Sequence, residues 1–140
     1  RALWFGTDAL AAMRRVQEKG DYSQITMVGK SLGTLAVGHV ATILPNIGAL
    51  RGLMFTPLLK NPSLVQQIKL FKGDLLLVVG TADEYHDAAV LEEIRDARAI
   101  EVLEIEEGDH SLERPGDVLG SLDMLKQVMG GVSDFLKFQG

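Results

Sequence analysis

Apolar and polar positions along this chain follow two periods in turn, and the changes of period mark out its elements. "TDALAAMRRVQEKG" sets Leu10, Met13 and Val16 on one stripe, the spacing of an amphipathic helix. Thr7 or Asp8 can cap that helix, and Gly20 suits its end. "QITMVG" is then a short apolar run of strand type. Helical spacing returns after Gly29 at Leu32, Leu35, Ala36, His39, Val40 and Ile43, until Pro45 and Asn46 break it. "RGLMF" is a weaker strand, and "NPSLVQQIKL" a short helix with Asn61 as its cap and Pro62 at its first position. "DLLLVVG" has no polar face from Leu75 to Val79, as expected of a strand covered by helices on both sides. "DAAVLEEIRDAR" reads as a helix. "IEVLEIEE" reads as a strand whose alternation of apolar and charged residues puts it nearer a sheet edge. Val118, Leu122, Leu125, Val128, Val132 and Phe135 trace a long last helix, interrupted at Gly130 and Gly131.

The order is therefore α-β-α-β-α-β-α-β-α. It predicts an α/β protein with a mostly parallel sheet, helical crossovers and three α/β/α layers. At 140 residues the chain suffices for a single domain, 1–140, and no linker or repeat divides it. Composition then removes several classes of function. A net charge of −5 and a pI near 5.1 speak against a nucleic-acid binder, whose footprint is a basic patch. The absence of cysteine removes disulfides and thiol chemistry. The longest mostly apolar run, Leu32 to Leu44, is too short to cross a bilayer, and no signal peptide is visible. The expectation is a cytoplasmic protein with neither a nucleic-acid nor a membrane partner.

"ITMVGKSLGT" carries the chemistry, and it reads in two ways. "GKS" ends a phosphate-binding loop of the form G-x-x-x-x-G-K-[ST]. That alignment puts Gln24 where the first glycine belongs and leaves only the strand residues "ITMV" to wrap a phosphate, so the reading fails on geometry. "GKSLG" is also G-x-S-x-G, which needs a strand, a sharp turn at the serine and a helix at once, with small residues two before and two after. Val28, Gly29, Ser31, Gly33 and the following apolar helix meet each condition. Taken alone, the same residues would serve as an ordinary glycine-bounded turn.

A serine hydroxyl needs an imidazole to take its proton and a carboxylate to orient the imidazole. "VVGTADEYHD" puts Asp83 just past the buried strand, and "IEEGDHSLE" puts His110 just past the last one. Both fall at the carboxyl edge of the sheet with Ser31, where open parallel sheets bind ligands. Asp83 could equally be a turn-former, with Glu84 or Asp87 in its place, although its spacing from Gly80 favours it. His110 could be a surface histidine. His86 is a rival base, but it precedes the last strand. His39, on an apolar stripe, reads as a buried, hydrogen-bonded core residue. Lys30 could face the site or solvent, and "EIEEGD" reads as a solvated acidic rim with no metal-ligand spacing.

"VGKSLGT", "LLLVVGTADE" and "EGDHSL", in that order over nearly the whole chain, resemble the later part of an α/β-hydrolase. Among its branches the likeness is to the small dienelactone-hydrolase-like or KANL3/Tex30-like members. The resemblance implies that Ser31 attacks an acyl carbonyl, that His110 is base and then acid, and that Asp83 holds the tautomer of His110. It implies one oxyanion donor in the backbone N–H of Leu32, a small-molecule acyl substrate, and no metal or organic cofactor. The family's second oxyanion donor follows an earlier strand, and no such strand or loop precedes Thr7, where the first helix begins. The expectation is thus a C-terminal portion lacking the earlier strands, with its elbow strand at a raw edge and little activity in isolation. The single short helix between "RGLMF" and "DLLLVVG" predicts an open site rather than a lidded lipase. A non-catalytic interaction domain and an acyltransferase are the alternatives to a hydrolase.

Overall fold

The computed structural model describes residues 2–44 and 49–137. Helix α1 (Ala2–Lys19) leads into β1 (Gln24–Lys30), α2 (Leu32–Ile43), β2 (Ala49–Phe55) and α3 (Pro62–Leu70). Strand β3 (Leu75–Gly80), α4 (Ala88–Ala97), β4 (Glu101–Ile105) and α5 (Val118–Lys137) complete the chain. All nine elements fall where the periodicity puts them. The break at Pro45 and Asn46 lies outside the described residues.

The strands form a four-stranded sheet in the order β1-β2-β3-β4, every pair parallel. Chain order and spatial order coincide because each crossover helix returns over the same face. Register aligns the carboxyl ends: Lys30 stands opposite Phe55, Phe55 opposite Val78, and Gly80 opposite Ile105. The loops that follow β1, β2, β3 and β4 consequently meet along one edge.

Side chains alternate between the two faces. Leu50, Met54, Leu75, Leu77 and Val79 pack into one core with α1 to α4. Leu53, Leu76, Val78 and Ile105 pack into a second with Met124, Val128, Val132 and Phe135 of α5. The layers are therefore α1–α4, the sheet, and α5, which is the three-layer α/β/α arrangement. Strand β3 is buried along its whole length and β4 lies at a sheet edge, as their patterns imply. Strand β1 lies at the other edge and pairs only with β2 among the described residues, so Val28 is exposed in mid-strand.

Four local expectations are corrected. Helix α1 starts at Ala2, so Thr7 and Asp8 lie inside it rather than capping it, because no breaker precedes them that would stop the helix. Helix α5 runs unbroken through Gly130 and Gly131; at Gly131 a Cβ would sit 2.6 Å from Leu103, so the glycine lets the helix close on β4. Its buried stripe uses Met124, Val128, Val132 and Phe135, whereas Val118, Leu122 and Leu125 are exposed. His39 is half-buried, its ring against Gly6 of α1, rather than enclosed in the core.

Strand β2, the weaker strand by its sequence, lies between β1 and β3. Arg51 is buried under α5, where Nη1 donates to the Phe135 carbonyl at 3.3 Å and the guanidinium lies 5.6 Å from the Phe135 ring centre. Asn61 caps α3 as its sequence indicates, accepting from the Leu64 N–H at 3.1 Å.

The two-sided burial of β3 predicts an asymmetry between apolar truncations. Leu77→Ala should lower unfolding free energy by about 2–5 kcal/mol in chemical denaturation. Leu119→Ala, in the exposed part of α5, should change it by no more than about 0.5 kcal/mol. Equal effects would contradict this layering.

Candidate active site

Ser31 stands between β1 and α2 with φ 52° and ψ −116°, a conformation that L-residues rarely adopt. Neighbouring groups hold it there. Its N–H donates to the Phe55 carbonyl at 3.0 Å, extending the β1–β2 pairing by one residue. Its carbonyl accepts from both the N–H and the hydroxyl of Thr34, at 3.0 and 2.6 Å. A Cβ on Gly29 would lie 2.5 Å from the Gly33 carbonyl oxygen, so only glycine lets helix α2 start this close to the strand. The expectation of crowding at both glycines holds only at Gly29, because a Cβ on Gly33 would meet nothing within 4 Å.

Asp83 follows β3. Its side chain is only 3% exposed, so its oxygens need donors. Oδ1 accepts from the Tyr85 N–H at 2.9 Å, and Oδ2 faces His110 Nδ1 at 2.9 Å. The rivals are engaged elsewhere: Asp87 caps α4 by accepting from the Val90 N–H, and Glu84 is exposed. Gly80 lets the histidine loop approach, since a Cβ there would fall 2.1 Å from the Gly108 carbonyl oxygen.

His110 belongs to the loop after β4, and Asp109 organises that loop. Asp109 Oδ1 accepts from the N–H groups of Ser111 and Glu113, at 2.8 and 3.0 Å. This part of "EIEEGD" is therefore a turn-former rather than a solvated rim. The His110 ring lies 5.1 Å from the Tyr85 ring, and its Nε2 is 2.8 Å from Ser31 Oγ. His86 pairs instead with Glu104 across β4, at 3.4 Å. Ser31, Asp83 and His110 thus meet in one hydrogen-bonded chain.

The chain of bonds assigns the tautomer. A carboxylate can only accept, so Nδ1 carries the proton toward Asp83. Nε2 of the neutral ring is then left as the acceptor for the Ser31 hydroxyl. Leu32 opens α2, where backbone N–H groups lack helical partners. Its side chain is 53% exposed and takes no part in the packing of the turn.

Lys30 is the residue whose direction the sequence left open. Its ammonium turns toward the histidine loop, donating to the His110 carbonyl at 2.7 Å and to Thr56 Oγ1 at 3.2 Å. Beyond that loop, Arg114 pairs with Glu107 and with Asp117, whose Oδ1 accepts from the Gly120 N–H at 2.8 Å at the start of α5. The Gly120 bond, with Arg114 second, holds the Asp117 carboxyl below its ordinary value, and Asp117 and Glu107 raise Arg114.

A mostly apolar cavity of about 560 Å³ opens on the α5 face, lined by Lys30, Phe55, Leu112, Leu122, Leu125 and Met129 among others. Neither Ser31 nor His110 lines it, so the concavity lies beside the hydrogen-bonded chain rather than over it. Among the described residues no group of three or more His, Asp or Glu side chains is placed to hold a metal ion, and no helix is long and apolar enough to cross a membrane.

No family model and no curated protein matches the sequence. Solved structures do match in three dimensions. A protein described as a predicted CIB-like hydrolase from Thermoplasma acidophilum superposes with a TM-score of 0.63 at 17% identity, over 92% of this chain and 60% of that one. The esterase Pf2001 of Pyrococcus furiosus superposes with a TM-score of 0.53 at 16% identity, over 82% of this chain and 53% of that one. The chain has an α/β-hydrolase-like fold. It spans a little more than half the length of these two neighbours.

The Asp117 bonds give a pH expectation. A carboxyl lowered on folding adds stability above its ordinary value of 3.8, and that stability is lost as pH falls through the lower folded value. Followed by carbon NMR, Asp117 should titrate below 3.8, with amide exchange in the first turn of α5 quickening over the same interval. A midpoint at or above 3.8 would contradict the capping role.

Proposed function

We propose that this chain carries the nucleophile, base and acid of a serine hydrolase for carboxylic esters, thioesters or related acyl bonds. One observation carries the reading: His110 reaches Ser31 Oγ through Nε2 and Asp83 Oδ2 through Nδ1 at the same time, at 2.8 and 2.9 Å. The names of the two structural neighbours, a predicted hydrolase and an esterase, agree with it. Ser31 Oγ attacks the acyl carbon as its proton passes to Nε2, and the imidazolium is stabilised by Asp83. The oxygen that gains charge is met by the Leu32 N–H and by the positive end of α2. Nε2 then gives its proton to the leaving group, the bond to that group breaks, and the acyl group stays on Ser31. A water molecule repeats the sequence and frees the serine.

A non-catalytic interaction domain of the same fold has no need to bond serine, histidine and aspartate in series. That arrangement is what favours an enzyme. An acyltransferase would use the same residues with an acceptor other than water, and product analysis with competing alcohols separates the two.

A fluorophosphonate probe tests the nucleophile directly. Ser31 Oγ bonds to phosphorus, fluoride leaves, and the serine proton goes to His110. Labelling should vanish in Ser31→Ala and slow by about a hundredfold or more in His110→Ala. Undiminished labelling of Ser31→Ala would show that the reactive group lies elsewhere.

A further inference from the structure

Lys30 stands immediately before the serine on a strand whose one other exposed residue is Val28. Its ammonium nonetheless reaches across β2. It donates to Thr56 Oγ1 at 3.2 Å, and at 2.7 Å to the backbone carbonyl of the residue proposed as the base, His110. Both acceptors are neutral oxygens, so these are charge-assisted bonds to groups that would otherwise hold more weakly.

Thr56 shows that the arrangement is constrained. It is 1% exposed and takes φ 43°, in the left-handed region where a β-branched residue is a genuine outlier. Its N–H donates to the Val78 carbonyl at 2.7 Å, which fixes the bend at the end of β2 and aims Oγ1 at the lysine. Strained backbone of this kind persists only where the surroundings over-determine it. Ser31 and Thr56, at the ends of adjacent strands, are both bent this way, and Lys30 bridges from the elbow to the second bend and on to the histidine loop.

The remaining ties on that loop act elsewhere. Asp109 shapes the turn after His110, Asp83 holds the far side of the ring, and Glu107 donates its N–H to Thr81 Oγ1 at 2.8 Å. Among the described residues, only the Lys30 bond connects the backbone of His110 to the strand that leads into Ser31.

We propose that Lys30 is a positioning residue for His110, acting with Thr56 as a clamp that holds the histidine loop against the elbow. The proposal rests on the reading of Ser31 as the nucleophile. It distinguishes this lysine from a solvated surface residue, whose removal would leave the serine's reactivity unchanged.

The 140-residue chain, its Lys30→Met and Lys30→Arg variants and Thr56→Val are compared by fluorophosphonate labelling over a range of probe concentrations. Amide hydrogen exchange over 106–113 is followed in parallel. In Lys30→Met the labelling rate at saturating probe should fall about tenfold while the half-saturating concentration stays the same, since the base is misplaced and probe binding is not. Lys30→Arg, which keeps the donors, should recover most of the rate, and Thr56→Val should slow labelling about threefold. Exchange over 106–113 should quicken in Lys30→Met and return toward normal in Lys30→Arg. Labelling of Lys30→Met at the unsubstituted rate, or loss of rate with unchanged exchange, would overturn the clamp. If Lys30→Met fails to fold, Thr56→Val decides, and unchanged labelling and exchange in that variant overturn the clamp as well. If the unsubstituted chain takes no label, the reading of Ser31 fails, and unchanged exchange in Lys30→Met then removes the clamp separately.

Discussion

The imidazole of His110 is the member on which the whole arrangement depends, because it must satisfy two partners that belong to different strands. Asp83 hangs from the end of β3 and Ser31 from the end of β1, with β2 between them. A ring can bridge that gap only if the carboxyl ends of the strands are level and the intervening loop leaves the space clear. The parallel register supplies the first condition. The close approach of Gly80 to Gly108 supplies part of the second by drawing the histidine loop down onto the sheet edge. A carboxylate that is nearly fully buried then fixes the tautomer, and with it which nitrogen faces the serine.

Much of this was legible in the residues. The helix and strand periods place all nine elements, and the unbroken apolar run of β3 gives its two-sided burial. The turn at Ser31 and the places of Asp83 and His110 after their strands are marked by motif and position, which are local signals, and the three side chains are hydrogen-bonded in series. What escaped the sequence depends on contacts between strands. Arg51 is buried only because α5 ends above it, and "RGLMF" contains no sign of that helix. The direction of Lys30 depends on Thr56 and the His110 carbonyl, neither of which is near it in sequence. Two further bonds have local signals. Thr34 is three residues after the serine, and Asp109 precedes two N–H groups that it can accept, so both bonds follow from spacing alone.

The two faces of the sheet are covered unequally, and that determines where apolar surface remains. Among the described residues, four helices pack on one face, while α5 covers the other, over β3, β4 and, at its end, Arg51 of β2. Leu122, Leu125 and Met129 of α5 line the cavity beside Lys30 and are more than half exposed, and Val28 of β1 is exposed as well. The apolar stripe read from sequence takes in Val118, Leu122 and Leu125, whereas the buried one passes through Met124 instead. The hydrogen-bonded serine, histidine and aspartate lie outside that cavity, at the edge where all four strand-end loops converge.

The central claim is that Ser31 is built to accept an acyl group, and the covalent intermediate is the most direct witness to it. The chain can be mixed with p-nitrophenyl acetate, quenched in acid and digested, and its peptides weighed. The account predicts one acetyl group on the peptide carrying Ser31, absent from the Ser31→Ala protein and scarce in His110→Ala. Acetylation confined to lysine side chains, or equal acetylation of the Ser31→Ala protein at any other hydroxyl, would contradict it.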